Sequence, residues 1–180
     1  TKGNYVETDA ANPVNYYGET KARAEEAVFA SGAEALVARI TLVMGLTVDG
    51  GGTTFFPKFL RNAEAGLPTA FPRNEIRTPI DVITLAKALV ELAGRRETGP
   101  LHLAGSTRLD RYEMGLRLAA KMGIPETLIA AADSNAMPGR APRPADVSLD
   151  NAKARAMLAT PLPELEDALA LVLASRPGGA

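Results

Sequence analysis

An α/β fold is predicted for this chain, because stretches of strand character alternate with stretches of helical character along it. The apolar, partly β-branched run at 35–44 (ALVARITLVM) lies between two helical patterns, and the short run at 100–104 (PLHLA) lies between two more. Glycine and proline stand at most of the changes of pattern. About three strands can be read in this way, fewer than a complete doubly wound sheet holds.

Taken in order, Asn12-Pro13 marks a turn, and residues 15–30, rich in Ala, Glu, Lys and Arg, form a helix that stops at Gly32. The run 35–44, bounded by Gly45, reads as a buried strand of a parallel sheet. Gly50-Gly51-Gly52 is a flexible loop. Residues 53–65 carry Phe55, Phe56, Phe59 and Leu60 at helical spacing and end at Gly66-Leu67-Pro68. Residues 76–80 form a short strand, after which Asp81 caps a helix over 82–93. Past the strand at 100–104, Asp110 and Glu113 have capping-box spacing ahead of a helix to Met122, closed by Gly123-Ile124-Pro125. Residues 138–144 are a Pro/Gly/Arg loop. Asp150 is placed to cap a short helix to Leu158, and Pro163 opens a last amphipathic helix through Ala174.

With 46% hydrophobic and 23% charged residues in 180, the chain has the composition of a soluble globular domain. A chain of this size buries roughly 70% of its unfolded surface, enough for a core without staples. The absence of cysteine excludes thiol catalysis and Cys-based zinc sites, and a single His102 excludes a histidine-rich cluster, so no metal is expected. Lys and Arg number 20 against 21 Asp and Glu, which gives no field to draw nucleic acid or anionic lipid. No apolar run approaches the ~20 residues that span a bilayer, and Thr1 to Asp9 carries no secretion signal. A soluble, cytoplasmic protein is expected. The chain opens on Thr with a helical pattern almost at once, so it is expected to be a processed or truncated piece.

The strongest chemical signal is Tyr17-Gly18-Glu19-Thr20-Lys21, a Tyr-x-x-x-Lys near the start of the first helix. Four residues are about one turn, so phenol and ammonium share a face. A free phenol titrates near ~10, and a neighbouring cation favours the phenolate, which is what a tyrosine acid/base needs. The spacing alone arises by chance in roughly one comparable chain in ten; its surroundings give it weight. The glycine triplet follows no strand–turn–helix pattern, and neither G-x-G-x-x-G nor G-x-x-x-x-G-K-[ST] occurs.

Tyr5-Val6-Glu7-Thr8-Asp9, Asn12-Pro13 and Tyr17-Gly18-x-Thr20-Lys21-x-x-x-Glu25 together resemble the extended short-chain dehydrogenase/reductase family, particularly the dTDP-4-dehydrorhamnose reductases. Further along, Arg39 to Gly45, Arg77-Thr78-Pro79-Ile80-x-Val82-x-x-Leu85-Ala86, His102-Leu103-Ala104-Gly105 with Arg111-Tyr112-Glu113, and Arg143-Pro144 with Ser148-Leu149-Asp150 match the family in the same order. This sequence departs from the family in having Thr41, Leu42 and Val43 where an aromatic is common, and it has no Trp.

The resemblance implies the C-terminal portion of a Rossmann-type doubly wound sheet, with residues 1–48 in the Rossmann-like part. Residues 49–180 would form a small, mainly helical substrate-binding region from which 76–104 returns to the sheet. It implies an NAD(P)-dependent oxidoreductase of dTDP-rhamnose biosynthesis, in which Tyr17 protonates the carbonyl oxygen of a nucleotide-linked keto sugar. Lys21 would hold the nicotinamide ribose, Arg39 and Thr41 would lie against the cofactor, and Phe55, Phe56 and Arg143 would meet the substrate. On composition alone, an aromatic stripe such as Phe55, Phe56 and Phe59 is more often core, and His102 reads as a packed core residue. The cofactor-binding motif is absent, so the chain alone is expected to be inactive and to associate with its missing N-terminal half or with itself. A sugar-nucleotide epimerase/dehydratase, and a non-catalytic regulatory module like the methionine adenosyltransferase beta subunit, are the alternative readings.

Overall fold

The computed structural model describes residues 2–46, 55–136 and 141–175. Helix α1 (Tyr16–Ala30) starts where Asn15, in extended conformation, accepts the Gly18 amide on its side chain at 2.9 Å, and it gives way to Gly32 at φ +74°. No α1 residue is buried. The chain then enters strand β1 (Leu36–Ile40) and, after a break, β2 (Val43–Met44). The single strand expected over 35–44 is thus two. At the break, Thr41 donates its hydroxyl to the Thr78 carbonyl, and the Ile80 amide donates to the Leu42 carbonyl at 3.0 Å.

Helix α2 (Phe55–Glu64) leads to β3 (Thr69–Pro72), β4 (Ile76–Arg77) and β5 (Ile80–Asp81). Asp81 then accepts the Ile83 and Thr84 amides and opens α3 (Val82–Ala93), as its position predicts. Strands β6 (Gly99–Leu103) and β7 (Leu109–Asp110) precede α4 (Arg111–Met122), which Asp110 caps and Gly123 closes in the left-handed conformation. A 3-10 turn, strand β8 (Ile129–Ala132), α5 (Ala152–Met157) and α6 (Leu165–Ala174) complete the order.

The strands pair two by two. β1 runs parallel to β6 with Leu36 opposite Gly99 and Arg39 opposite His102, β2 runs parallel to β5, β3 runs parallel to β8, and β4 runs antiparallel to β7. More strands exist than the three the sequence displays. β3 and β8 were hidden because alanine and proline, poor strand formers, dominate them; the pairing of Thr69 with Ile129, sixty residues on, makes them strands. The segment 76–104 supplies β5 and β6, the partners of β2 and β1.

Two apolar clusters fill the interior. One joins Phe56, Phe59, Phe71, Met114, Leu118, Leu165 and Leu169 with Met44, and the other joins Ile80, Leu85, Leu92, Leu101, Leu103, Leu158 and Leu162. Phe59 and Phe71 meet edge to face at 5.5 Å. Two caps differ from expectation. Asp150 accepts the Ala152 amide at 2.7 Å, while Asn151 holds the cap position and turns its amide to the Ala104 carbonyl. The last helix begins two residues past Pro163, where Thr107 accepts the Leu165 amide at 2.9 Å. Gly50-Gly51-Gly52, Thr53 and Thr54 lie outside the described residues, as do 138–140 of the Pro/Gly/Arg loop. Among the described residues no helix is long and apolar enough to cross a membrane.

Candidate active site

The first turns of α1 carry the Tyr-x-x-x-Lys. Gly18 lets Pro13 lie against the helix start: a Cβ there would come within 3.0 Å of the Pro13 Cβ. Thr20 returns its hydroxyl to the Tyr17 carbonyl at 2.8 Å. Tyr17 is 68% exposed, and the Lys21 ammonium, also exposed, stands 5.5 Å from the centre of its ring. An open phenol with a cation one turn away can give a proton to an oxygen brought against the helix.

Two polar contacts fix this helix. Asn15 donates its side-chain amide to the Pro142 carbonyl at 2.8 Å. Two turns past Tyr17, Glu25 takes the fork of Arg39, with Nε at 3.0 Å from Oε2 and Nη2 closing the pair. These hydrogen bonds push the Arg39 guanidinium above its ordinary value, against the opposing effect of burial. The remaining Arg39 nitrogen, Nη1, lies 3.3 Å from the Glu7 carbonyl and 3.3 Å from His102 Nε2. Thr41 spends its hydroxyl on Thr78. Tyr17 and Lys21 are therefore brought together, while Arg39 and Thr41 sit at and just beyond the end of β1 with their polar groups engaged inside the protein.

A cavity of about 420 Å³ opens between α2, β3 and the start of α4, lined by Phe55, Lys58, Asn62, Thr69, Phe71 and Arg111. The Arg111 guanidinium lies 5.0 Å from the Phe55 ring centre, an arrangement that combines an aromatic face with positive charge. Buried Glu75 lies within ion-pair distance of both Arg77 and Arg111. Phe55 lines this cavity; Phe56, 1% exposed, belongs to the core. Arg143 is exposed, next to the Pro142 that anchors the α1 cap; burial lowers the proton affinity of Arg77, and the charges of Arg111 and Arg143 add to it. Sequence reasoning missed Lys58 as a lining residue and met Arg111 only within the Arg111-Tyr112-Glu113 family match, with no role of its own. Lys58 lies three residues past Phe55, hence on its side of the helix, and Arg111 is the first residue of a helix whose cap was legible.

A dinucleotide needs a place for its pyrophosphate, commonly a helix N-terminus with free amides. Among the described residues, α1, α3 and α4 begin on Asn15, Asp81 and Asp110, whose side-chain oxygens already take those amides, and the two carboxylates repel phosphate. These termini do not fit a pyrophosphate. Exposed Tyr17 and Lys21 leave a phenol and an ammonium open to a bound molecule.

The family model described as the RmlD substrate binding domain matches residues 1–176. The chain is 28% identical over 180 residues to the dTDP-4-dehydrorhamnose reductase of Mycolicibacterium smegmatis, covering 97% of this chain and 54% of that protein. It is 28% identical over 155 residues to methionine adenosyltransferase 2 subunit beta of Bos taurus, covering 81% and 45% respectively. The solved dTDP-4-dehydrorhamnose reductase of Bacillus anthracis, in complex with NADP, superposes with a TM-score of 0.85 at 17% identity, over 96% of this chain and 59% of that one. That likeness is one of fold. The chain spans about half the length of the curated relatives it matches.

Proposed function

The chain belongs to the RmlD substrate binding domain family, with the α/β fold of Rossmann-type reductases, and we propose that it carries the proton donor and part of the substrate pocket of an NAD(P)-dependent reductase of nucleotide-linked keto sugars. The observation that carries the reading is the exposed Tyr17 phenol with the Lys21 ammonium one turn along the same helix face.

When bound, NAD(P)H supplies the hydride that goes to the carbonyl carbon. The Tyr17 hydroxyl gives its proton to the carbonyl oxygen as that oxygen gains the electron pair of the broken π bond, and solvent restores the proton. Lys21 compensates the charge left on the tyrosine and reaches the ribose of the cofactor. Arg39 and Thr41 keep their polar groups on Glu25, Glu7, His102 and Thr78, and their part in holding the cofactor would be indirect. In the cavity, Phe55 offers a face for a base, and Lys58 and Arg111 offer charge to a diphosphate; exposed Arg143, beside the Pro142 tied to α1, is outside the cavity lining and is proposed as a further cation for the substrate. Phe56 lies in the core beside Phe55, with ring centres 6.1 Å apart, and is not among the residues that line the cavity. In this reading the protein works in the cytoplasm in dTDP-rhamnose biosynthesis, associated with a nucleotide-binding half or with copies of itself.

Steady-state kinetics of the complete reductase on dTDP-4-dehydrorhamnose test the assignment. Tyr17→Phe is expected to lower turnover by about 100-fold or more with cofactor binding nearly intact, since only the transferred proton is lost. Wild-type turnover in that variant would overturn the reading. A regulatory module is the second reading, favoured by the match to the methionine adenosyltransferase subunit; it predicts no cofactor turnover by the complete protein with any keto sugar.

A further inference from the structure

We propose that Arg39 and His102 are positioning residues for α1: a neutral His102 imidazole accepts from Arg39 and aims its guanidinium at Glu25, on the face that carries Tyr17 and Lys21. The inference rests on the reading of Tyr17 as the proton donor. It starts from a helix none of whose residues is buried by the rest of the described chain, so that polar contacts are what tie it to the other described elements. Among the described residues, two side-chain hydrogen-bonding contacts tie α1 and its cap to other elements, Asn15 with Pro142 and Glu25 with Arg39. The second lies two turns from Tyr17, on the stripe that 17, 21 and 25 form at four-residue spacing.

The grip of Arg39 on Glu25 is directed from behind. Arg39 and His102 are opposite each other in the parallel pairing of β1 with β6, so the sheet register places the guanidinium beside the ring. Guanidinium only donates, so His102 Nε2, 3.3 Å from Arg39 Nη1, is the acceptor. A carbonyl only accepts, so His102 Nδ1, 3.1 Å from the Tyr5 oxygen, bears the proton. Both contacts demand the same neutral tautomer. The Glu7 carboxylate holds the His102 backbone amide at 3.0 Å, and the Glu7 carbonyl accepts from Arg39 Nη1. The N-terminal segment, β1, β6 and α1 therefore meet at this ring.

A second ring proton would turn Nε2 into a donor facing a donor, beside an arginine charge. The groups that face the ring are Arg39 from β1, Glu7 and Asp9 from the N-terminal segment, and the backbone of Tyr5 and Asp150. Burial holds the imidazole below its ordinary value of 6.5, Glu7 opposes this, and Arg39 reinforces it. Charging the ring therefore belongs to solution below pH 6.5, and there the tether to Glu25 weakens.

Hydrogen exchange of the chain, expressed as protection of α1 amides with α4 as internal reference, tests the idea. Arg39→Met is expected to lower α1 protection about tenfold or more with α4 unchanged, and Glu25→Met, on the helix surface, should do the same. The double variant should be no worse than either single, as for two residues acting through one contact. His102→Gln, which keeps an accepting oxygen but does not titrate, should retain protection and abolish the loss expected of the native chain as pH falls below 6.5. In the complete reductase, each of the two Met variants should lower kcat. Unchanged α1 protection in Arg39→Met, or additive effects in the double variant, would overturn the proposal. If α1 loosens as expected while Tyr17→Phe keeps native turnover, the tether stands and the reductase reading fails.

Discussion

The ammonium of Lys21 stands 5.5 Å from the centre of the Tyr17 ring, a cation held over the edge of the helix that bears the phenol. Both side chains are exposed, so replacing either should change stability by no more than about 0.5 kcal/mol. In the complete reductase, Lys21→Met is expected to lower turnover and weaken NAD(P)H binding together, by about tenfold or more each, where Tyr17→Phe affects turnover alone. Fluorescence titration of the cofactor beside steady-state kinetics separates the two. Tight cofactor binding by Lys21→Met would remove the ribose role from Lys21.

Phe55 and Phe56 are neighbours in sequence with different surroundings, one on the cavity and one in the core. Phe56→Ala should cost about 3–5 kcal/mol of stability in denaturant titration, because the apolar cluster around it cannot fully collapse. Phe55→Ala should cost less and should instead raise KM for the nucleotide sugar in the complete reductase. Equal stability losses with no change in KM would count against the cavity as the substrate's place.

Gly115 lies on α4 against Phe71, and an added Cβ would stand 2.8 Å from Phe71 Cδ2. A helical glycine replaced by alanine ordinarily gains up to about 1 kcal/mol. Here Phe71 is pinned edge-on against Phe59 and cannot retreat, so overpacking of about 1–3 kcal/mol wins. Gly115→Ala is expected to melt lower by about 2–4 °C per kcal/mol lost. Gly94→Ala, which meets only the Glu91 carbonyl at 3.6 Å, serves as the tolerated control. A native melting temperature in Gly115→Ala would show that Phe71 can move.

Glu91 clamps the end of α3 to the 158–162 segment by accepting the Ala159 and Thr160 amides, each at 2.8 Å. Those backbone donors, with Arg95, draw its carboxyl from 4.5 down to about 2. A depressed carboxylate contributes stability above its unfolded value, and the contribution disappears as pH falls from 4.5 through about 2. Glu91→Gln should therefore flatten this part of the acid limb in denaturation series, leaving the two proteins closer in stability near pH 2 than near pH 6. An acid limb of unchanged slope would refute it.

The elements marked by local chemistry were legible in the sequence. Helix α1 is announced by its composition, and Asp81 and Asp110 announce α3 and α4, because a cap is an interaction between residues two or three apart. Tyr17 and Lys21 could be placed together for the same reason. What stayed hidden depends on partners far along the chain. The strands Thr69–Pro72 and Ile129–Ala132 are four residues each and together more than half alanine and proline, and the break at Thr41 follows from a hydroxyl that finds Thr78. The Arg39 contacts to Glu25, Glu7 and His102 assemble from four segments that no local spacing relates, and Arg111 joins the cavity only after α4 packs beside β3.

The split of the 35–44 run has a consequence for how the protein comes apart. Met44 is wholly buried among the side chains of α2, α4 and α6, while its neighbour Val43 and nearby Ala38 pack into the other apolar cluster around α3 and β6. One short stretch of backbone is thus a member of both interiors, and neither can be disordered without pulling on the strand that serves the other. The shared stretch couples the two clusters, and a single calorimetric transition is expected rather than two.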